Sequence, residues 1–204
     1  MKTAANIFYF FAYRNAFQSY LQMDSDADMN SSTNEIESNE VFENVNCIHK
    51  HRIKFEQQQQ QQQQQAADTQ SGACGPYDMI YIAGKGFALK ELLRRVEFAK
   101  QRLTKRGVIV FDYANPPPLD KAKQAEFGCA WQVLSRLRCD STAFACVVDG
   151  VGHGCAVYRP NCRSIAFASQ HLPQYDKLEY LQENRALLLN LISWETFLTL
   201  IRFF

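Results

Sequence analysis

The sequence predicts an α/β fold built on a parallel sheet, and three stretches carry that expectation. Residues 77–84, "YDMIYIAG", and 108–113, "VIVFDY", are near-continuous apolar runs of strand length, the pattern of strands covered on both faces. Between them Leu89, Leu92, Leu93, Val96, Ala99 and Leu103 recur every three or four residues, with Lys90, Arg94, Arg95 and Arg102 interleaved. That is the period of an amphipathic helix, ended here by Gly107. Strand, helix and strand within about 35 residues make a β-α-β unit with parallel strands and a right-handed crossover.

The elements after this unit read in the same way. "ANPPPLDKAKQ" is a loop by its three prolines, and Phe127, Trp131, Leu134 and Leu137 then mark a second helix. "STAFACVVDG" and "CAVYRP" are two strands separated by only a few residues, a connection too short for a parallel crossover, so they form an antiparallel hairpin. Within "VVDGVGHGCAVY" the glycines at 150, 152 and 154 supply the positive φ of the tight turn. A strand follows them, and not the helix whose N-terminus would cradle a phosphate. The tail "YDKLEYLQENRALLLNLISWETFLTLI" is leucine-rich and helical by pattern, with Ser193 placed to cap its last helix.

The part before residue 76 differs in kind. Residues 1–22 hold "IFYFFAY" and read as a short aromatic helix, since Phe10, Phe11, Phe17, Tyr20 and Leu21 share one broad helical face. The apolar run is seven residues long, too short to span a bilayer and without the longer core of a signal peptide. Residues 23–45 contain seven acids and no Lys or Arg, and nine consecutive glutamines occupy 57–65. Such composition buries too little apolar surface to offset chain entropy, so 23–75 reads as a disordered acidic and polyglutamine linker. Order begins at Pro76, giving an α/β domain over 76–160 and a helical C-terminal extension over 161–204.

Charge and cysteines bound the function classes. The chain of 204 residues has a formal net charge of +1, which argues for neither a nucleic-acid nor an acidic partner. Residues 85–106 do hold eight bases against Glu91 and Glu97, but no aromatic platform or nucleic-acid motif goes with them, so they read as a solvated helix face. Seven cysteines, with no C-x-x-C pair and no histidine at zinc-ligand spacing, read as reduced, buried thiols of a cytoplasmic protein. No metal site is expected.

The order of elements, together with particular residues, resembles the C-terminal half of a class I S-adenosylmethionine-dependent methyltransferase over about residues 76–160. "YDMIYIAGKG" is similar to that family's fourth strand, an aromatic residue and Asp, then apolar residues closing on Asp-Gly. "RLTKRGVIVFDYANPP" is similar to the helix end, glycine turn and fifth strand. Leu103, Gly107, residues 108–111 and Asp112 occupy the positions of "L-x-x-G-G-h-h-h-h-D", with Arg106 in place of the first glycine. The resemblance implies a Rossmann-like sheet, S-adenosylmethionine as cofactor and transfer of a methyl group to a small-molecule or other acceptor. Two departures accompany it. The family's glycine-rich loop after its first strand, and the acid ending its second, have no counterpart found in residues 1–75. Ala83 stands where the fourth-strand acid is usual. The sheet is therefore expected to be incomplete, with its first half and the cofactor loop missing.

Asp112, at the carboxyl end of its strand, is the candidate catalytic residue, because open parallel sheets place ligands there. Gly84 is the candidate cofactor contact, and Gly86 beside it shares the reasoning: glycines leaving a strand let backbone approach a ligand, although they serve turns equally well. Asp78, at the start of its strand, reads as structural. His153 reads as a solvated turn residue, and the residues leave open whether Tyr113 and prolines 116–118 shape an acceptor pocket. The rival expectation is a non-catalytic interaction protein that holds partners by the sheet edge left by the missing half, by its apolar C-terminal helices or by the glutamine tract. No membrane contact is expected.

Overall fold

A computed structural model of the protein describes residues 6–7, 10–11, 17, 19–24, 49–54, 76–117, 127–162 and 177–203. The strands are β1 (Ser19–Asp24), β2 (His49–Lys54), β3 (Tyr77–Ile82), β4 (Leu103–Phe111), β5 (Phe144–Val148), β6 (Cys155–Arg159) and β7 (Leu191–Ile192). The helices are α1 (Leu89–Lys100), α2 (Ala130–Leu137), α3 (Leu178–Leu189) and α4 (Trp194–Leu200), closed by a 3-10 turn at Ile201–Phe203. All seven strands form one mixed sheet in the order β2-β1-β3-β4-β6-β5-β7. β2, β1, β3 and β4 run parallel, β6 is antiparallel to both β4 and β5, and β7 is parallel to β5. This is an α/β fold compatible with a Rossmann-like sheet.

Alternation along the strands divides the core into two faces. Ile80, Ile82, Ile109 and Phe111 point to the face covered by α1, α2 and α3, through Leu92, Val96, Trp131, Leu134, Leu181 and Leu188. Met79, Tyr81, Val108 and Val110 point to the other, covered by Ile7, Phe11, Phe17, Trp194 and Phe197. Phe10 meets the Trp194 ring edge-on at 5.4 Å, and Phe11 meets Phe197 at 5.9 Å, so the two ends of the described chain close the second face together.

The amino ends of three strands are cross-linked by Asp78, in the structural role expected of it. Its Oδ2 accepts from the Ser19 amide at 3.2 Å and the Ser19 hydroxyl at 3.1 Å, and its Oδ1 from the Thr104 hydroxyl at 3.0 Å. Just beyond, the β3–β4 register slips between Tyr77 and Met79. Gly107 sits at this irregularity, where a β-carbon would meet the Tyr77 carbonyl oxygen at 2.9 Å.

Several expectations change. Gly107 does not stop the helix. α1 ends at Lys100, and Leu103 opens β4 instead of closing the helix. Tyr20 and Leu21 do not share a helical face: they lie in β1 and point to opposite faces of the sheet, Tyr20 toward Phe11 and Leu21 toward Leu92's layer. Met23, Asp24 and residues 49–54, expected in the linker, belong to β1 and β2. Pairing explains both: a short segment of weak local preference gains ladder bonds and burial only when a parallel neighbour is present. The sheet therefore does not begin at β3, and the edge expected there is covered by β1. Residues 25–48 and 55–75, the rest of the expected linker with its glutamine tract, lie outside the described residues. Of the C-terminal extension, described residues 177–203 are largely helical, with β7 added, whose two residues pair with Val147 and Val148.

The hairpin and the cap agree with expectation. β5 and β6 pair antiparallel, with Gly150, Gly152 and Gly154 at φ of 73°, 52° and 82° in the connection. Ser193 caps α4, its hydroxyl accepting from the Thr196 amide at 3.1 Å.

Candidate functional site at the carboxyl end of the sheet

The parallel strands point their carboxyl ends at one rim, where β3 runs into Ala83 and Gly84 and β4 into Asp112 and Tyr113. Asp112 is half-buried there. Its Oδ2 accepts the Tyr81 hydroxyl at 2.5 Å and its Oδ1 the Gly84 amide at 2.6 Å, so both oxygens engage the β3 side of the rim. Burial, with the charge of Asp112 second, pushes the Tyr81 phenol well above its usual range. Burial likewise raises the Cys155 thiol, again with Asp112 as the next cause. A tyrosine and a thiol are thus held in their neutral forms around one carboxylate.

Gly84 is needed by the protein itself. A β-carbon there would overlap the Asp112 carbonyl oxygen and lie 3.1 Å from the Ala130 β-carbon. Gly128, at the entry to α2, is similarly close to Gly84, its own β-carbon position 2.6 Å from the Gly84 carbonyl oxygen. The space beside Gly84 is occupied by β4 and by the start of α2. Gly86 sits in the turn at φ 75° with open space around it.

Above Asp112 stands an aromatic cluster. Tyr113 has φ 54°, a left-handed conformation that β-strand exits seldom take outside glycine. Its ring lies 4.9 Å from His153 and 6.0 Å from Phe127, and Phe127 meets His153 edge-on at 5.2 Å. The Lys85 ammonium stands 5.6 Å from the Tyr113 ring centroid. Backbone bonds dock the hairpin turn on this segment: Ala114 donates to the Gly154 carbonyl at 3.0 Å and Asn115 to the His153 carbonyl at 2.9 Å. His153 is exposed, as a turn residue should be, but its ring packs on the rim.

The C-terminal extension reaches the same rim. Arg185 of α3 donates to the Asn115 side-chain oxygen at 2.5 Å and to the Pro116 carbonyl. Asn115 in turn donates to Asp149 at 3.4 Å. Helix α3 has a non-helical residue at Asn184, φ −120° and ψ 22°, directly before Arg185. Burial draws the Arg185 guanidinium below its ordinary value, which the charge of Asp149 opposes.

The structure therefore brings Asp112, Gly84 and Tyr113 together, with His153 alongside. Tyr81, Lys85, Phe127, Asn115 and Arg185 complete the rim and were not legible as site residues. Tyr81 is one letter in an apolar run, and Arg185 is separated from Asn115 by about 70 positions, beyond any local period. Three of the eight bases in 85–106 are engaged within the protein, while Lys85, Lys90, Arg94, Lys105 and Arg106 are exposed, as on a solvated face. Arg95 is buried and paired with Glu91 at 3.1 Å, Lys100 pairs with Glu97 at 2.9 Å, and Arg102 lies over the Phe98 ring.

The S-adenosylmethionine implied by the resemblance does not fit the residues present. Among the described residues β1 and β2 are the first two strands in chain order, and the 25–48 connection between them contains no glycine. β2 ends on Lys54, where the family has an acid. At Gly84 the close backbone approach is filled by Asp112 and Ala130. Among the described residues no group of three His, Cys, Asp or Glu side chains could hold a metal ion, and no helix is long and apolar enough to cross a membrane.

Fold and rim together define an α/β protein whose carboxyl-end rim is organised by an acid, a buried tyrosine and an aromatic cluster. Compared with models of protein families and with curated proteins, the chain matches none.

Proposed function

We propose that the chain is a methyltransferase-like protein, derived from the S-adenosylmethionine-dependent class I fold, and that in its present form it is a non-catalytic binding protein. Descent is supported by the element order. Parallel β3, α1, parallel β4, α2 and an antiparallel β5–β6 hairpin follow one another as the resemblance implies, with β6 inserted beside β4.

The non-catalytic reading is carried by one observation. Both oxygens of Asp112 accept bonds from the Tyr81 hydroxyl and the Gly84 amide, which engages the acid in fixing the rim. A general base needs an oxygen within hydrogen-bond reach of its acceptor's proton. With one acceptor position of each oxygen committed to β3, we read Asp112 as a positioning residue that ties β3 to β4. The rim is left with the Tyr113, Phe127 and His153 rings and the Lys85 ammonium as its binding groups, a set suited to a small planar ligand or to an aromatic side chain of a partner.

Titration of the purified full chain with S-adenosylmethionine by calorimetry tests this reading. No heat of binding is expected. Saturable binding in the micromolar range overturns the non-catalytic assignment and restores methyl transfer as the activity to assay.

A further inference from the structure

In the chain the glutamine tract follows closely on β2, the outermost strand of the sheet. β2 is the terminal strand of the sheet order, and among the described residues it pairs only with β1. Its six residues present about 20 Å of backbone edge whose outward donors and acceptors have no ladder partner among the described residues. The opposite edge strand, β7, is only two residues long. β2 reads His-Lys-His-Arg-Ile-Lys, with Lys50, Arg52, Lys54 and no acid. Edge-to-edge pairing of β2 with the β2 of another copy is opposed by these like charges.

A strand that is neutral and hydrogen-bond-rich meets no such penalty, and Gln57 begins one three residues after Lys54. Glutamine side chains also form amide ladders along a growing sheet. Phe55 and Glu56 do not supply a two-residue turn that would bring the tract back on its own β2, and a longer turn would consume residues of the tract. Two-residue hairpin turns need the positive φ that Gly, Asn or Asp supplies. The chain between β2 and β3 nevertheless has length to spare. Residues 55–76 bridge a gap of about 25 Å, one strand length back and two strand spacings across, whereas the same residues extend to about 70 Å.

We propose that the outer edge of β2 accepts the Gln57–Gln65 tract of a second copy as an added strand, so that the chain associates with itself by exchanging tracts. The inference is independent of the methyltransferase reading.

The test uses the full chain and a variant of equal length carrying Gln60→Pro and Gln63→Pro, which removes backbone donors from the tract and leaves the described elements untouched. Sedimentation velocity over a concentration series is expected to show association of the full chain and its loss in the proline variant, with circular dichroism unchanged. Fluorescently labelled proline variant, which retains the β2 edge, is then mixed with unlabelled full chain. Co-sedimentation of the label is expected, with slowed amide exchange at residues 49–54 of the labelled species. A full chain that remains monomeric throughout overturns the proposal. So does a proline variant that associates as well as the full chain, or an assembly of the full chain that excludes the labelled edge, which would assign pairing of tract with tract.

Discussion

The Tyr81 hydroxyl donates to Asp112 Oδ2 across 2.5 Å and joins the carboxyl ends of β3 and β4 at the rim of the sheet. Tyr81 is 5% exposed, so neither water nor a mobile side chain can readily replace it. Tyr81→Phe keeps the ring and removes the donor, and is expected to lower unfolding stability by about 1.5–3 kcal/mol, the range for a hydrogen bond to a charged group. Urea unfolding of Tyr81→Phe, Asp112→Asn and the double variant checks it. Strictly additive losses would show that the two residues are not coupled.

Gly84 and Gly86, two residues apart, should respond very differently to a methyl group. Gly84→Ala drives a β-carbon into the Asp112 carbonyl and is expected to cost about 1–3 kcal/mol or more by overpacking. Gly86→Ala meets open space and bears only the strain of φ 75°, about 1 kcal/mol. Thermal midpoints of the two variants decide the order, and equal shifts would remove the close approach as the reason for Gly84.

Stability should fall on the alkaline side. Burial raises the Cys146 thiol from 9.0 to about 12, and burial also raises Cys155 and Tyr81. A group whose folded pKa lies above its unfolded value contributes fully below the unfolded pKa and loses that contribution as pH rises toward the folded one. For Cys146 the window is pH 9 to about 12. Denaturant midpoints measured under reducing conditions from pH 8 to 11 are expected to decline, and less steeply in Cys146→Ala with Cys155→Ala. An unchanged slope in that double variant would assign the decline to other groups.

Arg185 is expected to hold α3 against the loop after β4. Arg185→Ala loses the bonds to Asn115 and Pro116 and should cost about 1 kcal/mol, with faster amide exchange over residues 178–189. Arg185→Lys should restore little of it, because an ammonium lacks the planar fork. Exchange in α3 that is indifferent to both changes would show that its apolar face alone secures it.

The sequence by itself determined the elements whose signal is local and repeated. The period of Leu92, Val96 and Ala99 fixes α1, the runs at 77–82 and 108–111 fix the buried core of β3 and β4, and the short glycine connection between β5 and β6 fixes their antiparallel pairing. That Asp112 and Gly84 meet at one rim was legible because strand ends in a parallel sheet converge. The tertiary structure alone decided the rest. β1 and β2 became visible only through pairing with neighbours distant in the chain, since six residues carry too few matches to any period to declare themselves. Tyr81 became a partner of Asp112, and Arg185 of Asn115, because long-range contacts leave no trace in local spacing. The same reason separates the two meanings of Gly84. A glycine leaving a strand looks alike in sequence whether it faces a ligand or its own protein, and only packing against Asp112 and Ala130 distinguishes them.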